Sequence, residues 1–186
     1  MPNLPDISSL LARVPSDLHA KVNNYWQTWQ AACKQKNINH DPVVDPALLG
    51  YVFACSEFVA TTICRHPQFW HQLNREGLLH KSLTLADYQQ FLFEKISPIK
   101  PANDALLMQL LRHYRQLHMV RIAWRDLVDL AETAETLANL TDLAEACVDV
   151  TLESLYQDQC LSMGTPLTHD RKPQRMIVLG FQPQYV

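Results

Sequence analysis

Leu110-Leu-Arg-His-Tyr114-Arg-Gln-Leu117-His-Met-Val-Arg121-Ile-Ala-Trp124-Arg-Asp-Leu-Val128 lies within the longest segment that carries a helical period. Leu110, Tyr114, Leu117, Arg121, Trp124 and Val128 are spaced 4, 3, 4, 3 and 4 residues apart, which sets them on one stripe of an α-helix. Asn103 or Asp104 caps the start, and the helix is expected to reach about Leu130. One member of the stripe is an arginine. A guanidinium on a core-facing stripe must meet a carboxylate or carbonyl oxygens, because an unpaired buried charge is very costly.

Working outward, the same pattern recurs with proline and polar caps as punctuation. Leu18 to about Lys36 reads as a helix capped by Ser16 or Asp17, with Tyr25, Trp26 and Trp29 as a core or interface anchor. Asp45-Pro46 opens a helix that runs to about Arg65, where His66-Pro67 interrupts it. A short helix stops near Gly77, and Thr84 to Asp87 is a capping box for a helix to about Ile96. Ser97 to Pro101 is a connector. Thr133 and Thr141 are expected to cap a short helix and a second long one, the latter ending at Met163 before Gly164 and Pro166. Thr168 to Gln174 is a polar loop, and Arg175 to Gly180 reads as one buried strand. Four glycines in 186 residues disfavour a turn-rich β fold. The expectation is a mainly α assembly of about six or seven helices with one short C-terminal strand.

An apolar share of 47% is enough for a real core, and 19% charged residues is too few for a disordered tail. The net charge of -3 is unevenly distributed. Asp126 to Asp158 carries nine carboxylates and no Lys or Arg, which leaves 10 acids against 16 bases elsewhere. Such segregation suits docking or solubility. Nucleic-acid binding is disfavoured because the basic residues do not cluster with aromatics. Five cysteines (Cys33, Cys55, Cys64, Cys147, Cys160), odd in number and without a C-x-x-C, fit free and mostly buried thiols in a reducing cytoplasm. No signal-like start and no apolar run of about 18 residues occurs, so a soluble cytoplasmic protein is expected.

Chemistry-bearing residues are present but poorly arranged for catalysis. His66/His71 and His113/His118 are five apart, so neither pair shares a helical face as metal ligands at i, i+4 would. Cys55 and Ser56 fall on a predicted buried face, with no nucleophile elbow or nearby histidine. Arg112, Arg115 and Arg125 with His113 and His118 give the long helix a basic character. That face could dock the acidic helix from Asp142 to Asp158 or an acidic partner; a solvated face is the commoner explanation.

His118-Met-Val-Arg121-Ile-Ala-Trp124-Arg125-Asp-Leu127 resembles the Met-x-Arg-Ile-Ala-x-Arg-Asp-Leu hallmark of glutamine synthetase adenylyltransferases. Leu111 to Arg115 resembles that family's lead-in, and Leu143 to Cys147 with Leu155-Tyr156 its next helix. Gly164-Thr165-Pro166 is similar to its loop, Ile177 to Gly180 to its first catalytic strand, and Ser56 to Val59 with His66-Pro67 to an earlier helix and break. The similarity covers roughly residues 20 to 180. It implies an enzyme that attaches AMP to a tyrosine of glutamine synthetase and removes it with phosphate, using Mg²⁺ and ATP or phosphate. Glutamine synthetase and the PII signal protein are the partners it implies. No nucleic-acid or membrane partner is expected.

In that family the strand leads into Gly-Lys-Leu-Gly-Gly and Ser-Asp-Ile-Asp-Leu segments, whose backbone and aspartates would meet phosphates and Mg²⁺. Here Gly180 is followed by Phe181-Gln-Pro-Gln-Tyr-Val186. The chain is therefore expected to be the N-terminal helical segment, truncated before the nucleotidyltransferase motifs and inactive alone. The expected organisation is residues 1–166 as a helical domain and 167–186 as a loop plus the first strand of an incomplete nucleotidyltransferase domain. No catalytic, cofactor-binding or metal-binding residue is assigned within it. Arg121 is read either as aimed at phosphate in the intact enzyme or, preferably, as a buried ion pair fixing helix register with Glu57 as partner. Alternatives to the enzyme fragment are a non-catalytic interaction module and the product of a decayed gene.

Overall fold

The computed structural model describes residues 6–38, 45–99 and 103–178. Among them are eight α-helices: α1 (Ile7–Leu11), α2 (His19–Gln35), α3 (Pro46–Cys55), α4 (Glu57–Arg65), α5 (Pro67–Arg75), α6 (Leu85–Ile96), α7 (Asp104–Leu127) and α8 (Thr133–Met163). A 3-10 turn, Ser16–Leu18, leads into α2. The mainly α expectation holds.

Local chemistry accounts for most of the boundaries. The Asp45 carboxylate accepts from the Ala47 N–H at 2.9 Å, with Pro46 as the first helical residue. At α6 the Thr84 hydroxyl accepts from the Asp87 N–H, and the Asp87 carboxylate accepts from the Thr84 N–H, the reciprocal capping box. Asn103 Oδ1 accepts from the Leu106 N–H at the start of α7. Gly77 and Gly164 take the left-handed backbone that ends α5 and α8. α7 stops at Leu127, short of the expected Leu130. There Asp129 turns left-handed (φ 56°) and the Leu130 N–H reaches back to the Arg125 carbonyl at 2.8 Å.

Three expectations are corrected. The helix read from Asp45 to Arg65 is two helices, α3 and α4, bent by 115° at Ser56. Ser56 is extended, and its hydroxyl accepts from the Val59 N–H at 3.2 Å, so it caps a new helix instead of continuing the old one. Conversely, the break expected at Thr141 is absent. α8 runs unbroken for 31 residues, because from Thr133 to Met163 there is neither proline nor glycine to stop it. The strand expected at Arg175 to Gly180 is not formed in its described part. Arg175 to Val178 is irregular and exposed, while Leu179 and Gly180 lie outside the described residues. A strand needs a neighbour to take its N–H and C=O groups, and the nearest pairing is one isolated bridge, Leu167 to Pro173.

The chain divides into two compact units. One comprises residues up to Leu83 with Arg115–Leu140; the other comprises Thr84–Tyr114 with the residues from Thr141 onward. The first buries Val22, Trp26, Phe53, Ile63, Trp70, Leu73 and Trp124. Trp26 stacks on Trp29 with centroids 5.1 Å apart, and Trp70 meets Trp124 at 4.7 Å. The second buries Tyr88, Leu92, Ile96, Tyr114, Leu143 and Ala146, and the Tyr114 hydroxyl donates to the Tyr88 carbonyl at 2.7 Å. No single described helix is long and apolar enough to cross a membrane.

Gly50 is the tightest approach in the first unit. A Cβ there would lie 1.8 Å from the Leu10 carbonyl oxygen of α1, and a backbone oxygen cannot swing aside as a side-chain tip would. Gly50→Ala should therefore lose about 1–3 kcal/mol from overpacking, more than the ~1 kcal/mol gained in helix propensity. A urea-unfolding midpoint equal to or above that of the parent would mean that α1 is not seated against α3.

Candidate functional site

The hallmark segment of α7 places two arginines in the core of the first unit. Arg121 is fully buried and Arg125 is 5% exposed. Arg121 Nε donates to the Leu78 carbonyl at 2.9 Å, Nη1 donates to Asn139 Oδ1 at 3.0 Å, and Nη2 donates to the Lys81 carbonyl. Arg125 Nη1 donates to the Leu79 carbonyl at 3.2 Å, and its Nη2 donates to the Leu130 carbonyl and to Glu135 Oε1 at 2.8 and 2.9 Å. The two guanidinium forks thus grip the connector between α5 and α6, the turn after α7 and the first turns of α8. The planar five-donor fork of arginine suits this job, since one side chain can satisfy several carbonyls held at fixed angles.

The predicted stripe is largely right. Tyr114, Leu117, Arg121 and Trp124 are buried, with Leu110 and Val128 half-buried at its ends. The predicted partner is wrong. Glu57 is exposed in the first turn of α4, while Arg121 donates to the Leu78 and Lys81 carbonyls and to Asn139. The nearby acid is Glu135, on α8. The Ser82 hydroxyl, which donates to Glu135 Oε1 at 2.8 Å, holds its carboxyl below the usual glutamate range, assisted by Arg125 and the charge of Arg121 and opposed by partial burial. Arg125 and His118, expected on a basic surface, are buried; Arg112 and Arg115 are exposed, and His113 is half-buried.

Two of the remaining candidates, His66 and Ser56, sit at helix boundaries. His66 stands at the break before Pro67 and stacks on Phe69 at 4.9 Å. No group of three or more His, Cys, Asp or Glu among the described residues is placed to hold a metal ion. Burial pushes the Cys33 and Cys64 thiols up to about 11, so neither is a thiolate at neutral pH. Cys147 and Cys160 are half-buried and Cys55 is exposed, so only part of the thiol set is in the core. Ser56 is the cap of α4. The depression beside the α7–α8 turn, about 690 Å³, is lined by Asp126, Asp129, Glu132 and Glu135, a field that repels phosphate.

Sequence reasoning missed Asn139 and Glu135 as the polar partners and Ser56 as a helix start. The last was legible, because serine followed by an acid is a helix-opening signal. The pairing of Arg121 with the 78–81 connector was not, since backbone carbonyls leave no mark in the sequence.

The fold and site define a mainly α assembly whose long helix α7 is held through two buried arginines. A family model described as glutamate-ammonia ligase adenylyltransferase matches residues 47–182, and the chain belongs to this family. It is 36% identical over 172 residues to the bifunctional glutamine synthetase adenylyltransferase/adenylyl-removing enzyme of Nitrosococcus oceani, covering 90% of this chain and 17% of that protein. The corresponding proteins of Pseudomonas syringae pv. tomato and Thioalkalivibrio sulfidiphilus are 31% and 34% identical, over 91% and 97% of this chain and 18% of each relative. The chain therefore spans under a fifth of the length of these relatives.

Glu135 gives the site a pH signature. Its pKa is lower folded than unfolded, so its contribution is fully present above the unfolded value and fades as pH falls through the folded one. Thermal melts from pH 7 to 3 should show parent and Glu135→Gln converging in stability as the pH drops. A constant gap across that range would mean that the carboxylate charge is not what Arg125 and Ser82 hold.

Proposed function

We propose that this chain is the helical scaffold that, in its relatives, accompanies the addition and removal of AMP on glutamine synthetase, and that residues 1–186 alone perform neither reaction. Residues 1–166 serve as the helical domain, and 167–186 lead toward a nucleotidyltransferase domain. One observation carries this reading: the arginines of the family hallmark are turned inward onto carbonyls and Asn139, so they are held as packing elements and not offered to a nucleotide.

Mg²⁺ with ATP or phosphate, which the family chemistry implies, does not fit the buried hallmark arginines and their surroundings. Phosphate needs a cation or a free run of N–H donors, and the arginines on the hallmark are engaged. Mg²⁺ needs carboxylates converging on one point, and the described acids form no such group. No step through either is assigned to these residues.

A second reading is favoured by the exposure of Met176, Ile177 and Val178, which are 68%, 79% and 55% accessible. An apolar run of that kind suits a non-catalytic interaction module that meets glutamine synthetase, PII or a separately encoded remainder of the enzyme.

The purified chain, given glutamine synthetase, Mg²⁺ and ATP labelled in its α-phosphate, should transfer no label. Given adenylylated glutamine synthetase and phosphate, it should release no adenylyl group. Label transfer or release above a protein-free control would overturn the scaffold reading.

A further inference from the structure

The second unit carries a groove that the scaffold reading does not use. It lies between α6 and α8, which are bridged where Gln89 Nε2 donates to Asp149 Oδ2 at 3.3 Å. Its volume is about 720 Å³. Its apolar lining includes Phe93, Ile99 and Val150, and Phe93 is 59% exposed, a large aromatic left facing water. Asp149, Glu153 and Asp158 supply the groove's charge, and no Lys, Arg or His is among the described residues that line it. This asymmetry continues along the chain, since Asp126 to Asp158 contains no basic residue.

We propose that this groove is a docking site for a basic amphipathic helix of a partner protein. Two features commit the occupant to that chemistry. The first is charge complementarity: three carboxylates lining the groove together with apolar side chains favour a ligand with cations flanking an apolar stripe and disfavour an acidic one. The second is an arginine outside the lining that already pairs with one of these carboxylates. Arg175 Nη1 donates to Glu153 Oε2 at 3.0 Å, and the same segment is tied to α8 where the Tyr156 hydroxyl donates to the Gln174 carbonyl at 3.1 Å. The Arg175–Glu153 pair is largely exposed, at 72% and 43%, and exposed pairs contribute little, so an incoming cation can displace it. The twelve residues of α6 span roughly 18 Å, room for three turns of a partner helix. The site stands independently of the scaffold reading.

The test uses the full chain and a dye-labelled synthetic 14-residue helical peptide with leucines at i, i+3, i+4 and i+7 and lysines elsewhere, compared with its lysine-to-glutamate counterpart. Anisotropy titration should show saturable binding of the basic peptide alone. Asp149→Lys and Phe93→Ala should each weaken it at least tenfold. Glu145→Lys is the control, because it makes the same charge change on α8 but outside the groove lining, and it should cost less than threefold. Arg175→Ala should bind equally or more tightly. Equal losses from Asp149→Lys and Glu145→Lys, or no effect of Phe93→Ala, would reduce the binding to net charge and overturn the proposal. Retained binding by the acidic peptide would do the same, as would self-association that saturates the groove without peptide.

Discussion

A guanidinium with no exposure to water has to be answered by oxygens, and at Arg121 the answer comes from Leu78, Lys81 and Asn139. Much else in the first unit follows from that demand. The 78–81 connector must present its carbonyls inward. The first turns of α8 must bring Asn139 to α7, where its own amide donates back to the Glu135 carbonyl at 3.0 Å and so keeps its orientation. Trp124, one turn along the same stripe, is then pinned against Trp70. Hydrophobic burial supplies most of the stabilisation, about 1.5–3 kcal/mol for each large apolar side chain, but it is non-directional. The arginine fixes which register of α7 is compatible with that burial.

Two ion pairs of similar length, Arg125–Glu135 and Arg175–Glu153, illustrate how setting decides strength. Arg125–Glu135, at 2.9 Å, has an arginine side chain that is 6% exposed and two carbonyls on the same guanidinium. Arg175–Glu153, at 3.0 Å, is open to solvent on both sides. The first is screened little and is costly to break, because removal of Glu135 leaves a buried cation short of an acceptor. The second is screened by salt and contributes little. One therefore belongs to the core, and the other behaves as a removable latch on an acidic surface.

Much of the fold was legible in residues that act locally. Asp45-Pro46, the Thr84/Asp87 box, His66-Pro67, Gly77 and Gly164 each end or begin a helix where their own backbone chemistry requires it. The 4-3-4-3-4 spacing identified the buried face of α7 and the need for an oxygen partner. What the sequence concealed depends on tertiary placement. Thr141 carries a capping side chain yet lies inside α8, because neighbouring residues favour continuation. Glu57 looked like an ion-pair partner because it is a lone acid in an apolar run, but its place in the first turn of α4 turns it to solvent. The apolar character of Met176 to Val178 was correctly read; its strand state needs a neighbour that the described residues do not provide.

The most direct test of the central claim is urea unfolding of Arg121→Met and Arg121→Lys beside Glu57→Gln. Methionine fills the volume but leaves Leu78, Lys81 and Asn139 oxygens without this donor, each at a cost of about 1–3 kcal/mol. Arg121→Met should therefore lose roughly 3 kcal/mol or more, with Arg121→Lys recovering only part because it lacks the planar fork. Glu57→Gln should stay within about 0.5 kcal/mol of the parent. An Arg121→Met chain as stable as the parent, or a large loss from Glu57→Gln, would contradict the account.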